Sequence, residues 1–161
     1  SEMCIRDSNN RYDGMWFQDY QHGAGTMYYH NGDLYVGNWA NDKREGEGTY
    51  TWANGAKYSG HWKNDKKNGK GTMNWDDGCK YDGDWKDNRP NGQGTLKTVA
   101  GMQYKGGFVD GLEEGQGVQI DKDGNRFDGF FKQGKKDGPF VETDKDGKVI
   151  KKGTYKFGRL Q

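Results

Sequence analysis

The sequence feature that most constrains the fold of this chain is an aromatic-x-Gly-x-aromatic motif that recurs every 23 residues without a gap. A Gly-x-Gly motif and a turn dipeptide such as Asn54-Gly55 follow at the same interval. Because three separate markers keep one period through five or six copies, the chain is an array of repeats. The copies of the first motif are Tyr12-Gly14-Trp16, Tyr35-Gly37-Trp39, Tyr58-Gly60-Trp62, Tyr81-Gly83-Trp85, Tyr104-Gly106-Phe108 and Phe127-Gly129-Phe131.

Each repeat predicts two short β-strands. The first strand contains Tyr-x-Gly-x-Trp, and the second contains Gly-x-Gly, as in the segment from Gly46 to Trp52. A polar loop such as 40–45, which has six residues, joins the two strands, and the Asn-Gly or Asp-Gly turn leads into the next repeat. Glycine every few residues is incompatible with long helices. The sequence therefore predicts an all-β fold.

Composition indicates how such strands can pack. Charged residues make up 30% of the chain, but the 14% of aromatic residues argues against disorder. Only 30% of the residues are hydrophobic, which is too little to fill a deep core between two layers. A single layer of strands is therefore expected, with aromatic rings as its main packing material.

The register between repeats follows from where the aromatic residues must lie. A three-residue loop with Gly55 in the left-handed position places Tyr50 opposite Tyr58 and Gly46 opposite Trp62. This register collects the aromatic residues and glycines on one face, and a slip by one residue would move the whole set to the other face. It predicts a large ring over a bare glycine in every repeat, so that Trp62→Ala would uncover Gly46. The opposite face receives Thr49, Ser59, Glu47 and His61.

These markers resemble the MORN-repeat family, whose pattern is Tyr-x-Gly-x-Trp, a polar loop, Gly-x-Gly and a closing turn with glycine. The resemblance covers residues 11–147. It implies an elongated single-layer antiparallel sheet of tandem β-hairpins, about 12 strands in this chain, and a scaffolding or partner-binding role. Some members of the family associate with lipids. Others are attached to lipid kinases or lysine methyltransferases, so the repeat alone does not determine the function.

Both ends of the chain depart from the pattern. Residues 1–10 lack the motif and are predicted to be a non-structural leader, either foreign to the domain or the end of a longer chain. Residues 148–161 are predicted to be a degenerate final repeat or an edge cap, because Gly138-Pro139-Phe140 replaces Gly-x-Gly just before them. Pro139 and the nearby lysines would discourage further strand pairing at an edge. This tail is similar to the one in MORN-bearing lysine methyltransferases.

The aromatic face is the main candidate for a binding site. The alternative is that its rings only pack on one another, since a one-layer sheet has no other core. An exposed apolar face of several hundred Å² is typical of a binding surface, and we expect a peptide or helix in a groove, or a homodimer. The residues predicted to form this face are Tyr12, Trp16, Tyr35, Trp39, Tyr50, Trp52, Tyr58, Trp62, Trp75, Tyr81, Trp85, Tyr104 and Phe108.

Basic loops form a second candidate site, for an anionic phospholipid surface. The predicted contacts are Lys63, Lys66, Lys67, Lys86 and Arg89. With a formal net charge of +1 and an acidic loop at 109–114, any membrane association through these residues is expected to be weak. The same small charge offers no field that would attract nucleic acid.

The chain shows no set of residues spaced for catalysis or for metal binding. Gly69-Lys70-Gly71-Thr72 lacks the spacing of a phosphate-binding loop, and Asp121-Lys122-Asp123 begins a calcium-loop pattern that Arg126 interrupts at the position of the required glycine. The three histidines occupy unrelated positions in the repeat. We therefore expect no catalytic residue, no metal and no cofactor.

The leading hypothesis is a non-catalytic scaffold or adaptor that binds a protein segment along the aromatic face. With only Cys4 and Cys79, a disulfide framework is not expected, which favours a cytoplasmic protein, with association to the cytoskeleton or to membranes also open. The alternatives are a peripheral membrane adaptor acting through the basic loops, and the targeting module of a larger MORN-bearing enzyme, a lipid kinase or lysine methyltransferase, whose catalytic domain is absent from this chain.

Overall fold

The computed structural model describes the backbone of residues 2–5 and all of residues 9–161, and these residues contain strands and turns but no helix. Their strands form an open antiparallel sheet in which neighbours follow chain order, with β13 beside this path on β12. This confirms the predicted all-β fold of tandem hairpins. The strands are β1 (Glu2–Ile5), β2 (Arg11–Phe17), β3 (Tyr20–Tyr28), β4 (Leu34–Ala40), β5 (Lys43–Thr51), β6 (Lys57–Lys63), β7 (Lys66–Asn74), β8 (Lys80–Lys86), β9 (Arg89–Lys97), β10 (Gln103–Val109), β11 (Leu112–Ile120), β12 (Arg126–Lys132), β13 (Lys135–Lys136), β14 (Gly138–Thr143), β15 (Val149–Lys156) and β16 (Arg159–Leu160).

The strands group into two compact units. The N-terminal unit consists of Ser1–Asp76 and Trp85–Asn88, and the C-terminal unit consists of Asp77–Asp84 and Arg89–Gln161. The repeats continue through both units, but the side chains on the aromatic face differ between them.

The register between β5 and β6 confirms the predicted one. Gly46 lies opposite Trp62, Gly48 opposite Gly60, and Tyr50 opposite Tyr58. On the other face Thr49 Oγ1 and Ser59 Oγ lie 3.0 Å apart in a hydrogen bond. Gly23 pairs in the same way with Trp39 in the N-terminal unit, and Gly92 with Phe108 in the C-terminal unit.

The three-residue loop between repeats is confirmed at 53–55. The backbone N–H of Trp52 donates to Ala56 O at 2.9 Å, which closes the hairpin around the loop. Gly55 has φ +96°, a conformation that suits glycine far better than a residue with a side chain. The side chain of Asn54 accepts a hydrogen bond from Ala56 N at 2.9 Å and so holds the turn from within.

The six-residue polar loop predicted within each repeat is wrong. The turn between β4 and β5 contains only Asn41 and Asp42, with φ +50° and +68°, and β5 already begins at Lys43. Asparagine and aspartate tolerate this left-handed geometry, which a two-residue hairpin of the type I′ class needs at both positions. Asp42 also bonds to the preceding repeat, since its Oδ1 accepts from Gln21 N at 2.8 Å and its N–H donates to Gln21 O at 3.1 Å.

The tyrosine of the motif covers a glycine, which the sequence analysis did not predict. The Tyr35 ring lies across Gly48 and leaves no room for a Cβ atom there. Gly46 instead has φ +80°, and a Cβ on it would point towards Asn38. Trp62 lies opposite Gly46 in the register, and its Nε1 donates to Gly48 O at 3.0 Å. The two glycines of Gly-x-Gly therefore serve different purposes, a left-handed backbone turn and a close approach to a ring.

The ends of the chain also differ from expectation. The backbone of Glu2–Ile5 pairs with β2, although a non-structural leader was expected, whereas residues 1 and 6–8 of that leader lie outside the described residues. Pro139 lies in β14, which pairs with both β12 and β15, so its predicted edge position is wrong. Phe140 stands where earlier repeats have the ring-covered glycine, and Phe127 stacks on it with the ring centroids 5.2 Å apart. Residues 149–160 extend the sheet by β15 and β16.

We expect Gly48→Ala to lower the free energy of unfolding by at least about 2 kcal/mol, because the new methyl group would overlap the buried Tyr35 ring. Urea denaturation followed by circular dichroism measures this loss. Lys57→Ala, an exposed change in the adjacent strand, should stay within about 0.5 kcal/mol of the unchanged protein. Equal denaturation midpoints for the two variants would contradict the tyrosine–glycine packing.

Candidate functional site

Aromatic rings form the core of the sheet rather than an open surface. Tyr12, Tyr35 and Tyr58 are at most 1% exposed, and each hydroxyl donates to the backbone carbonyl three residues later at 2.8–2.9 Å. The tryptophans stand edge-on between them, with the Trp62 ring centroid 5.6 Å from that of Tyr35 and 5.1 Å from that of Tyr58. Such T-shaped pairs are favourable beyond the area that they bury. The packing alternative is therefore the main role of these rings.

Most of the aromatic residues predicted to bind a partner are enclosed in this core. Of the thirteen, only Trp16, Trp52 and Trp75 are half-buried. The ten buried ones are Tyr12, Tyr35, Trp39, Tyr50, Tyr58, Trp62, Tyr81, Trp85, Tyr104 and Phe108. Any partner on this face would meet mainly the half-buried rings, while the buried ones support them from beneath.

One repeat position in the N-terminal unit carries accessible rings in succession. Tyr29, Trp52 and Trp75 are spaced by the 23-residue period and are all half-buried; we call these three residues the aromatic row. The Tyr50 ring connects two of them, with its centroid 5.5 Å from that of Tyr29 and 4.6 Å from that of Trp52. In the C-terminal unit the same position holds Thr98, Asp121 and Asp144, so the row is confined to the N-terminal unit.

A buried carboxylate holds the middle of the aromatic row in place. Asp33 Oδ2 accepts a hydrogen bond from the Tyr50 hydroxyl at 2.6 Å, and its Oδ1 accepts one from Ala53 N, next to Trp52, at 2.8 Å. Burial raises the pKa of Asp33, but the hydrogen bonds from Tyr50, Ala53 and Asn31 outweigh it and leave the pKa below its usual value. The ionised carboxylate thus positions both the ring beneath the row and the turn that follows Trp52.

Two cations lie over the rings beside the aromatic row. Arg44 and Lys67 occupy one repeat position, opposite Trp39 and Trp62 respectively. The Arg44 guanidinium lies 4.7 Å from the Trp62 ring centroid and binds Asp65 Oδ1 through its Nε at 3.1 Å. Lys67 Nζ lies 5.0 Å from the centroid of Trp52. Both distances are within the range of cation–π attraction.

The structure divides the predicted phospholipid contacts. Four of them are exposed, namely Lys63, Lys66, Lys86 and Arg89. Lys63 and Lys66 are opposite each other in the strand register, on either side of the Asn64-Asp65 turn. Lys67 instead extends over the Trp52, Tyr58 and Trp85 rings. Burial, and after it the positive charge of Arg44, lowers the pKa of Lys67. The basic surface is therefore smaller than the sequence predicted.

Sequence reasoning missed three residues of this site. Tyr29 could have been found from the period alone, since it lies 23 residues before Trp52. Arg44 was read as part of a polar loop, and its place over the rings follows from β5 beginning at Lys43. Asp33 has no counterpart in other repeats and carries no motif, so only its contacts with Tyr50 and Ala53 indicate its role.

Metal binding and a membrane-spanning helix were two further possibilities for the described part of the chain. Within it, no group of three or more histidine, cysteine, aspartate or glutamate side chains is placed to hold a metal ion. Within the same residues, no helix has the length and apolar character needed to cross a bilayer.

The repeat geometry agrees with comparison to known families. The MORN repeat model matches six consecutive segments of the chain, residues 12–34, 35–57, 58–80, 81–102, 104–126 and 127–149. The chain belongs to the MORN-repeat family. The segment boundaries place the tyrosine or phenylalanine that begins each Tyr-x-Gly-x-Trp motif at or near the start of a repeat.

One solved structure shares the fold of this MORN array, and a second gives a weaker match. The TCP domain of SAS-4 (dCPAP) from Drosophila melanogaster, in complex with a proline-rich motif of Ana2 (dSTIL), has a TM-score of 0.54 and 12% identity over 96% of this chain and 89% of that chain. A point mutant of the TCP10 domain of CPAP from Danio rerio has a TM-score of 0.38 and 14% identity over 96% of this chain and 100% of that one, too low a score to support a conclusion. No curated protein matches the chain.

The buried tyrosines make the MORN array sensitive to alkali. Burial, and after it Glu113 and Glu114, raises the pKa of Tyr104 to about 12, and burial also raises the pKa of Tyr35, Tyr58 and Tyr81. Unfolded tyrosine ionises near pH 10. The folded state therefore binds more protons than the unfolded state above that pH, and its stability falls as the pH rises further.

We expect phenolate absorbance to show two phases, of which the second belongs to the buried tyrosines and occurs only together with unfolding near pH 12. Circular dichroism recorded in parallel should change with the second phase alone. Tyr104→Phe should leave the first phase unchanged and reduce the amplitude of the second. A single transition near pH 10 for all tyrosines would contradict the buried ring core.

Proposed function

We propose that this MORN array is a non-catalytic protein scaffold that holds an extended, proline-containing segment along the aromatic row of its N-terminal unit. The observation that carries this proposal is that Tyr29, Trp52 and Trp75 stay half-exposed at one repeat position, while the other rings of that unit are mostly enclosed. The cytoplasmic setting expected from the cysteine content belongs to the same proposal. No residue is assigned a catalytic role.

The chemistry of the row favours proline as its ligand. Proline rings pack well on flat aromatic side chains, and grooves lined by such side chains are a recurring means of binding polyproline II segments. A proline-rich segment is already extended before it binds, so it loses little conformational entropy. Trp52 and Tyr29 rest on the buried Tyr50 ring, which gives the partner a rigid surface.

The shared fold supports the same partner class by analogy. The TCP domain of SAS-4 (dCPAP) was solved with a proline-rich motif of Ana2 (dSTIL). At 12% identity the likeness extends to the fold alone, so it supports the type of ligand and says nothing about the individual contacts.

An extended segment also fits the row better than a helix does. Arg44 and Lys67 lie over the neighbouring rings and so narrow the apolar surface beside the row. A helix with its side chains is about 10 Å wide and requires a correspondingly wide apolar groove. A second copy of the chain is the other possible occupant of the row, and the test below distinguishes a dimer from peptide binding.

We expect Trp52→Ala to weaken binding of selected peptides about thirtyfold, the loss typical of an aromatic residue that dominates an interface. The peptides come from a random twelve-residue display library panned on the unchanged protein, and their affinities are measured by fluorescence anisotropy. Tyr28→Ala is the matched control, since Tyr28 precedes Tyr29 but is exposed outside the ring core. The affinity of Tyr28→Ala for the selected peptides should remain unchanged.

Two results would contradict the proposed site. Peptides that bind Trp52→Ala as tightly as the unchanged protein would show that the aromatic row is not the binding surface. A stable dimer by light scattering that Trp52→Ala converts to a monomer would show that a second copy covers the row.

A further inference from the structure

Lys67 is a half-buried cation that lies over core rings of the N-terminal unit. Within residues 9–161 no carboxylate forms an ion pair with its Nζ, whereas Arg44, at the equivalent position one repeat earlier, is bound to Asp65. Lys67 Nζ lies over three rings, 5.0 Å from the Trp52 centroid and 5.3 Å from that of Trp85. The electron-rich faces of these rings compensate only part of the hydration that the ammonium loses there.

A half-buried ammonium without a counter-ion favours the binding of an anion. Burial and the nearby Arg44 charge lower the pKa of Lys67, which shows that the charged form is disfavoured in the free protein. A carboxylate from a partner would reverse that effect, because a charge-assisted hydrogen bond is stronger in a site partly shielded from water. Trp52, which belongs to the aromatic row, is in contact range of the same ammonium.

The spacing of the row restricts how a segment can lie on it. Equivalent residues of successive repeats are two strands apart in the sheet, which corresponds to about 9.6 Å. One turn of a polyproline II helix has three residues and rises about 9.3 Å. A segment in this conformation that crosses the strands therefore brings every third residue over a ring, with a mismatch of only about 0.3 Å per repeat.

We propose that the partner segment crosses the strands as a polyproline II helix, with residues i, i+3 and i+6 over Tyr29, Trp52 and Trp75, and that an aspartate or glutamate beside residue i+3 pairs with Lys67. This rests on the proposed function and specifies the ligand. The segment is therefore an acidic, proline-containing one with a three-residue period.

A single carboxylate suits the site better than a phosphate group. Arg44 already has Asp65 as its partner, so Lys67 is the only cation on these rings that is available for a ligand. One half-buried ammonium matches one negative charge, whereas a doubly charged phosphate or a lipid headgroup is usually held by several cations. The exposed Lys63 and Lys66 lie beside the hairpin turn and not on the rings.

Three labelled twelve-residue peptides test this ligand. The first has proline at every third position and one glutamate next to the middle proline. The second replaces that glutamate with glutamine, and the third has the composition of the first with its prolines four residues apart. By fluorescence anisotropy, the first should bind at least about tenfold more tightly than the second, the lower end of the range for a hydrogen bond to a charged group. It should also bind more tightly than the third.

Three variants of the protein test whether Lys67 causes the preference for the glutamate peptide. Lys67→Met keeps an apolar side chain over the rings and should abolish the difference between the glutamate and glutamine peptides. Lys67→Arg retains the charge and should retain the difference. Lys57→Met, which removes an exposed lysine of the same unit, should also retain it. Circular dichroism and urea denaturation of Lys67→Met show whether the sheet is intact.

The outcomes separate this inference from the proposed function. Equal binding of the glutamate and glutamine peptides, with binding still lost in Trp52→Ala, would leave the scaffold proposal standing and overturn the role of Lys67. Equal binding of the three-residue and four-residue spacings would overturn the polyproline II alignment. If the three peptides do not bind and the display library yields no peptide that depends on Trp52, the proposed function itself is wrong.

Discussion

The first five repeats are each organised around a tyrosine ring that lies across a bare glycine of the next strand. The Tyr35 ring covers Gly48, and its hydroxyl donates to Asn38 O at 2.9 Å, so the ring is held at both its face and its tip. This arrangement brings an aromatic side chain as close to the backbone as a side chain can come. It lets a sheet with few aliphatic residues enclose its rings, because each tyrosine uses the backbone of its neighbour as a packing surface.

The depth of the tyrosine layer determines what remains for a partner. Tyrosines and tryptophans that interlock edge to face are nearly inaccessible, whereas one repeat position beside the three-residue turns keeps half-buried rings. In the N-terminal unit these are Tyr29, Trp52 and Trp75; in the C-terminal unit the same position is polar. The repeat therefore combines a shared core with a position at the turns whose residue can change without disturbing the fold.

The positive charges on the aromatic face also follow the repeat. The position opposite the tryptophan holds Arg44 in one repeat and Lys67 in the next, and each lies over rings of the core. Arg44 is neutralised by Asp65, but Lys67 is not neutralised within its repeat. Asp33 adds a carboxylate under Tyr50 that no other repeat has at its position. Differences between repeats at a few positions thus turn a uniform sheet into one with a localised candidate site.

The sequence by itself determined the repeat, the all-β fold, the three-residue turn at Gly55 and the register that places Gly46 opposite Trp62, because side-chain alternation permits only one pairing that keeps all rings on one face. Only the tertiary structure decided which rings remain accessible. Burial depends on how Tyr35 and Trp62 interlock across three strands, and a repeat motif does not encode that geometry. The position of Lys67 was also decided only by the tertiary structure. The sequence placed this residue in a polar loop, but β7 begins at Lys66, and Lys67 lies over Trp52.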